Sequence, residues 1–109
     1  MNRKLVDAWF GAFHNKDIVQ LERTLAEEFV HHSPFGAIKS RQAYLALVRE
    51  NTEAFFSPTI EILDILGSGD KFAARYLVNG NPACDCIYVR DGQITEIFSY
   101  YHYGEKPSF

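Results

Sequence analysis

Two histidines stand side by side in a chain that has only four, inside the stretch "FVHHSPFG" at residues 29–36. Imidazole suits proton transfer near neutrality, because its ordinary pKa of about 6.5 lies there, and it is also a frequent metal ligand. On an extended strand, however, neighbouring side chains point to opposite faces, so His31 and His32 cannot both grip one ion. No Cys/His cluster accompanies them, so no metal is expected. The pair reads either as an acid–base group or as the polar end of a strand, with one ring bonded to backbone carbonyls and the other in solvent.

A second chemical feature is "ACDCIYV" at residues 83–89. Strand alternation puts Asp85, Ile87 and Val89 on one face and Cys84, Cys86, Tyr88 and Arg90 on the other. The thiols form C-x-C rather than C-x-x-C, with no second pair to complete a tetrahedral site, and read as small hydrophobes. If the Asp85 face is turned from water, desolvation disfavours the carboxylate and lifts its pKa above about 3.9, leaving a group able to give a proton near neutrality.

The elements that must hold these groups can be read from periodicity. Leu5, Trp9, Phe10 and Phe13 make one helical stripe, and Ile18, Leu21, Leu25 and Phe29 another. Asp17 followed by Gln20 resembles a capping box opening the second helix. "FVHHS" reads as a short strand ended by Pro34 and Gly36. A third helix follows Ser40, with Tyr44, Leu45, Val48, Thr52 and Phe55 at helical spacing and Ser57-Pro58 closing it. From Thr59 the period becomes that of strands: "TIEILDIL", "KFAARYLV", "ACDCIYV" and "ITEIFSYYHY", joined by the turns "GSGD", "NGNP" and "RDGQ".

Helices first and an antiparallel sheet second make an α+β arrangement, expected to be a single domain over residues 1–109. With 47% hydrophobic and 15% aromatic residues the chain can bury an ample core. A net charge of −3 with no basic run argues against a nucleic-acid partner. Apolar runs are too short for a membrane span, and "MNRKLVDAWF" lacks signal-peptide character, so a cytoplasmic protein is expected. Apolar residues occupy both strand faces: Ile60, Ile62 and Leu66 on one side of the first long strand, Leu63 and Ile65 on the other. A sheet covered on one face alone would alternate more cleanly, so the second face is expected to form a homodimer. Arg75 or Arg90 is expected beside Glu96 on that outer face.

The order of two helices, "FVHHSPFG", a third helix and a meander ending "IYVRDGQITEIFSYYH" resembles the SnoaL-like polyketide-cyclase family. That family belongs to the nuclear transport factor 2-like superfamily, with ketosteroid isomerases and limonene-epoxide hydrolases. The resemblance covers nearly the whole chain and implies a cone-shaped α+β barrel, in which a curved, mostly antiparallel sheet wraps three N-terminal helices around a blind apolar pocket. It also implies dimers through the convex face.

By the same resemblance Asp85 matches the pocket acid of the isomerases, while Ser33 stands where they have a general-base Asp and Trp9 where they have a tyrosine donor. Ser99 and His102 replace acids carried by the cyclases and hydrolases on the last strand. If Ser33 points inward, parity takes His31 inward and His32 outward, though the adjoining turn leaves either ring open to the pocket. Tyr101 falls on the inward face with Ile97 and Ser99. Trp9, Phe13, Phe55 and Tyr76 are open to core and pocket roles alike, as are Phe35 and Ile87, whereas His14 and His102 are expected in solvent.

Two functions follow. One is a cofactor-independent acid–base enzyme of isomerase, cyclase or hydrolase type, in which Asp85, His31 or His32, and Tyr101 surround a small apolar ligand, cyclic or polyketide-like. The other is a non-catalytic binding or dimerisation module. Convergence of the polar groups in one cavity favours the first, and a cavity filled by Trp9, Phe35 and Tyr76 the second.

Overall fold

The computed structural model describes residues 2–101. Helix α1 (Arg3–His14) buries Val6, Trp9, Phe10 and Ala12 along one side, the spacing of an amphipathic helix. Asp17 then accepts from the Gln20 backbone N–H and caps α2 (Ile18–Thr24). The return half of a capping box is not formed, because the Gln20 side chain donates across 2.9 Å to the Ala8 carbonyl of α1.

Sequence periodicity carries α2 on to Phe29, but the helix stops at Thr24 and Leu25 is already extended. Strand β1 (Leu25–Ser33) begins there, longer than the five residues the sequence marks. The reason is geometric. An even step of four returns a strand to the same face just as it returns a helix, so Leu25 and Phe29 are buried on either reading.

Strand β2 (Gly36–Lys39) folds back on β1 across Pro34 and Phe35. Ser40 accepts from the Ala43 N–H and caps α3 (Arg41–Glu50). The single third helix of the sequence reading is two helices, since Asn51 leaves helical geometry at φ −135°, ψ 45° before α4 (Thr52–Phe56) resumes. The Asn51 amide stabilises the break by donating to the Leu47 carbonyl over 2.9 Å.

Strands β3 (Ile60–Ser68), β4 (Lys71–Val78), β5 (Asn81–Arg90) and β6 (Gln93–Tyr101) follow with turns where the sequence marks them. Asn79-Gly80 and Asp91-Gly92 all have positive φ, as two-residue hairpins require to match strand twist.

The sheet is curved and unclosed, in the order β2-β1-β6-β5-β4-β3. Every neighbour is antiparallel except β1 with β6, which run parallel. Helices cover one face, where Phe29, Ala74, Ile87, Ile94 and Ile97 meet Val6, Leu45 and Val48 in the core. Among the described residues no helix is long and apolar enough to cross a membrane.

Strict alternation fails in β3. Its register slips between Ile62 and Asp64, so Ile60, Ile62 and Ile65 lie opposite the inward residues Val78, Tyr76 and Ala74. Leu66, expected with Ile60, instead joins Leu63 on the outer face. The same slip places Asp64 opposite Arg75, and the two form a forked ion pair at 2.9 and 2.7 Å. That pairing corrects the expected Arg–Glu96 contact. Glu96 instead takes His32 Nε2 at 2.6 Å, because the neighbours of β6 are β1 and β5, not β4. Arg90 sits opposite Gln93.

Candidate functional site

Parallel pairing of β1 with β6 sets His31 opposite Ile97, one inward position from Ser99, and antiparallel pairing of β6 with β5 sets Ser99 opposite Asp85, so the three side chains meet on the helix-covered face. The Ser99 hydroxyl donates to Asp85 Oδ1 at 2.7 Å, and His31 Nε2 lies 3.0 Å from the same hydroxyl oxygen. Asp85 Oδ1 also accepts from the Tyr76 hydroxyl at 2.8 Å, and Oδ2 from the Trp9 indole N–H at 3.2 Å. A carboxylate only 1% exposed thus receives three donors, from α1, β4 and β6. Trp9, on α1, supplies the donor to Oδ2.

Two effects oppose each other at Asp85. Burial disfavours the charged form and dominates, raising the carboxyl above its ordinary value, while the bonds from Ser99, Tyr76 and Trp9 pull it down. For His31, burial and then the neighbouring His32 push the imidazole down to about 4, so it is neutral at physiological pH. Its Nδ1 is buried and has no hydrogen-bond partner among the described residues. Burial likewise holds the Tyr44 and Tyr76 hydroxyls well above the usual phenol range.

A cavity of about 230 Å³ is walled by Trp9, Phe10, Phe13, Phe55 and Tyr76 and lined as well by His31, Tyr44, Asp85 and Tyr101. Sites for drug-sized ligands run to roughly 300–1,000 Å³, so this space is smaller than those. Ala54, Pro58, Ile60 and Val78 complete the wall.

Several residues singled out in the sequence lie elsewhere. His32 points to the outer face, stacked on Phe98 with ring centroids 4.0 Å apart. Parity decides this, since His31 is the member of the pair that shares a face with buried Phe29. Ser33 is not at the cavity, because its hydroxyl closes the β1–β2 turn, accepting from the Phe35 N–H and donating to the Gly36 carbonyl. Phe35 is 81% exposed at the tip of that turn and fills no cavity. Ile87 and Ile97 are core residues with no exposed surface, and Ser99 acts behind the wall as the bridge between Asp85 and His31. His14 is exposed as expected, and His102 lies outside the described residues.

Tyr44 and Phe10 line the cavity but read in the sequence only as helix-stripe core. Their signal was the aromatic type at those positions, which periodicity cannot separate from packing. Among the described residues no group of three or more His, Cys, Asp or Glu is placed to hold a metal ion. Cys84 and Cys86 are free thiols, and burial raises that of Cys84.

A family model described as a SnoaL-like domain matches residues 6–97. No curated protein matches the chain. Among solved structures, a candidate polyketide cyclase of Sinorhizobium meliloti is 20% identical with a TM-score of 0.79, over 88% of this chain and 93% of that one. An LEH-like epoxide hydrolase of M. tuberculosis is 20% identical with a TM-score of 0.78, over 91% and 80% of the two chains. A candidate ketosteroid isomerase of Kribbella flavida is 18% identical with a TM-score of 0.76, over 97% and 81%. At these identities the likeness is one of fold.

Proposed function

The chain belongs to the SnoaL-like domain family, and from that premise we propose that it binds a small, largely apolar cyclic or polyketide-like compound and performs cofactor-independent acid–base chemistry on it. One observation carries this reading: His31, Asp85 and Tyr101 line a single cavity whose other walls are aromatic and aliphatic. The apolar walls would exclude water and hold a ring, and the polar end would handle its oxygen. His31, neutral and with an unpaired Nδ1, is the group suited to take a proton. Names such as cyclase, epoxide hydrolase and isomerase among the similar structures fit chemistry of this kind.

Trp9 is the sole tryptophan and lines the cavity, so its fluorescence reports occupancy. A panel of cyclic ketones and phenols is titrated against wild type and Ala54→Phe, which narrows the space. Saturable quenching, lost in Ala54→Phe, is the expected result. Deuterium exchange next to the carbonyl of a bound ketone, followed by NMR and abolished in His31→Gln, then tests the chemistry. Saturable binding without exchange for any ketone would leave a non-catalytic binding module, and no saturable response at all would overturn the ligand site.

The outer sheet face, with Leu63, Leu66 and Tyr100 at 45%, 60% and 57% exposure, is proposed as the contact of a homodimer.

A further inference from the structure

His31, Ser99 and Asp85 form a continuous hydrogen-bonded chain behind and into the cavity wall. While Asp85 is ionised, Ser99 spends its one hydroxyl proton on Asp85 Oδ1 at 2.7 Å. The same oxygen lies 3.0 Å from His31 Nε2, so the contact requires that Nε2 carry the ring proton and donate it. Nδ1 is then a bare lone pair, and it is the buried side-chain atom left without a partner among the described residues. His31 itself is 7% exposed and lines the cavity.

We infer that His31, Ser99 and Asp85 form a proton relay, through which a ligand bearing a weakly acidic O–H or C–H gives its proton to His31 Nδ1 while Asp85 becomes the proton store. As the ligand X–H proton arrives at Nδ1, the Nε2 proton passes to Ser99 Oγ and the Ser99 proton passes to Asp85 Oδ1. The ligand leaves the step as an anion, Asp85 as a neutral acid, and His31 as its other neutral tautomer. One negative charge has moved from Asp85 to the ligand, and no imidazolium forms. Burial makes this the favourable route, because it opposes a charged His31 and favours a protonated Asp85.

Other titratable groups facing the relay are Tyr44 of α3, Tyr76 of β4 and Tyr101 of β6. His32, adjacent on β1, opposes positive charge on His31. In this scheme Ser99 and Asp85 act through His31, and His31 is the residue that touches the ligand. The inference takes its ligand from the function proposed above, yet the internal relay is testable without any ligand, so failure of one is distinguishable from failure of the other.

The experiment is ¹⁵N NMR of histidine-labelled, ligand-free protein across pH 4–9, with the carboxyl of Asp85 followed in parallel. His31 is expected as the Nε2–H tautomer when Asp85 is ionised. As Asp85 takes up a proton the ring nitrogens should exchange roles, with the same midpoint as the carboxyl and no imidazolium signal in that step. Ser99→Ala should uncouple the two titrations, and Ser99→Thr, which keeps a hydroxyl, should restore coupling. Asp85→Asn, with nothing to titrate, should hold His31 in one tautomer. An Nδ1–H tautomer while Asp85 is ionised, an imidazolium formed in that step, or a switch unchanged in Ser99→Ala would each overturn the relay. Should Ser99→Ala not fold, wild type and Asp85→Asn decide the matter.

Discussion

The Trp9 indole N–H donates across 3.2 Å to Oδ2 of Asp85, tying the first helix to the fifth strand over 76 residues of sequence. An indole can only donate, so this bond commits Oδ2 as an acceptor, whereas Tyr76 and Ser99 hydroxyls can reverse direction. Trp9→Phe keeps a ring in the wall and removes the donor. The charged form of Asp85 loses a partner, so its pKa should rise further, with about 1–3 kcal/mol of stability lost to the buried acceptor. Carboxyl NMR and urea unfolding followed by circular dichroism measure both, and an unmoved carboxyl would contradict the assigned bond.

Acid should weaken the fold through His31. Its pKa is lowered from 6.5 to about 4 in the folded state, so the unfolded chain binds more protons between those values. The contribution is complete above pH 6.5 and is lost as pH falls through about 4. At about 1.4 kcal/mol per pH unit, that gap is worth about 3 kcal/mol. Asp85 has the opposite sign: its pKa is raised, so its contribution is present at low pH and fades as pH climbs through the folded value. Subtracting the pH–stability curve of His31→Gln from that of wild type isolates the histidine, and a flat difference between pH 4 and 6.5 would refute its burial as a neutral ring.

Light scattering should give twice the 12.5 kDa chain mass at micromolar concentration. Leu66→Asp places a charge on the 60% exposed outer position and should return the single-chain mass without loss of helix signal. A wild-type monomer would end the proposal of a sheet-to-sheet dimer.

Gly67 has φ +117°, and a Cβ there would meet the Lys71 carbonyl oxygen at 2.3 Å. Gly67→Ala therefore combines left-handed strain with a backbone clash, and should cost about 2 kcal/mol or more. Thermal unfolding checks it, with Gly69→Ala as comparison, since at Gly69 the added atom meets nothing within 4 Å.

The fold was largely legible because its long strands and hairpin turns are local signals. "RDGQ" and "NGNP" specify their own geometry, and parity groups Asp85 with Ile87 and Val89 on one face, which the family resemblance turns inward. What escaped the reading is non-local or too short. β2 is four residues with one apolar side chain of note, Ile38, and offers no period to detect. The bulge after Ile62 arises from pairing with β4, which no window on β3 reveals. Ser33 matched a site position in the family pattern, yet the turn through Pro34 claimed its hydroxyl. Ser99 was recognised as the replacement of an acid, but its bridging role depends on the parallel pairing of β1 with β6, which strand patterns do not encode.

That pairing also sets an order in time. His31 and Ser99 are separated by 68 residues, and β6 is the strand that joins β1 to the rest of the sheet. A chain emerging from the ribosome can form its first helices and the β1–β2 hairpin early, but His31 must wait for nearly all of the meander before it meets its partner. Distant contacts of this kind slow folding. The hydrogen-bonded chain His31–Ser99–Asp85 is therefore assembled by the same closing event that completes the sheet, and a nascent or partly unfolded chain carries its residues without their contacts.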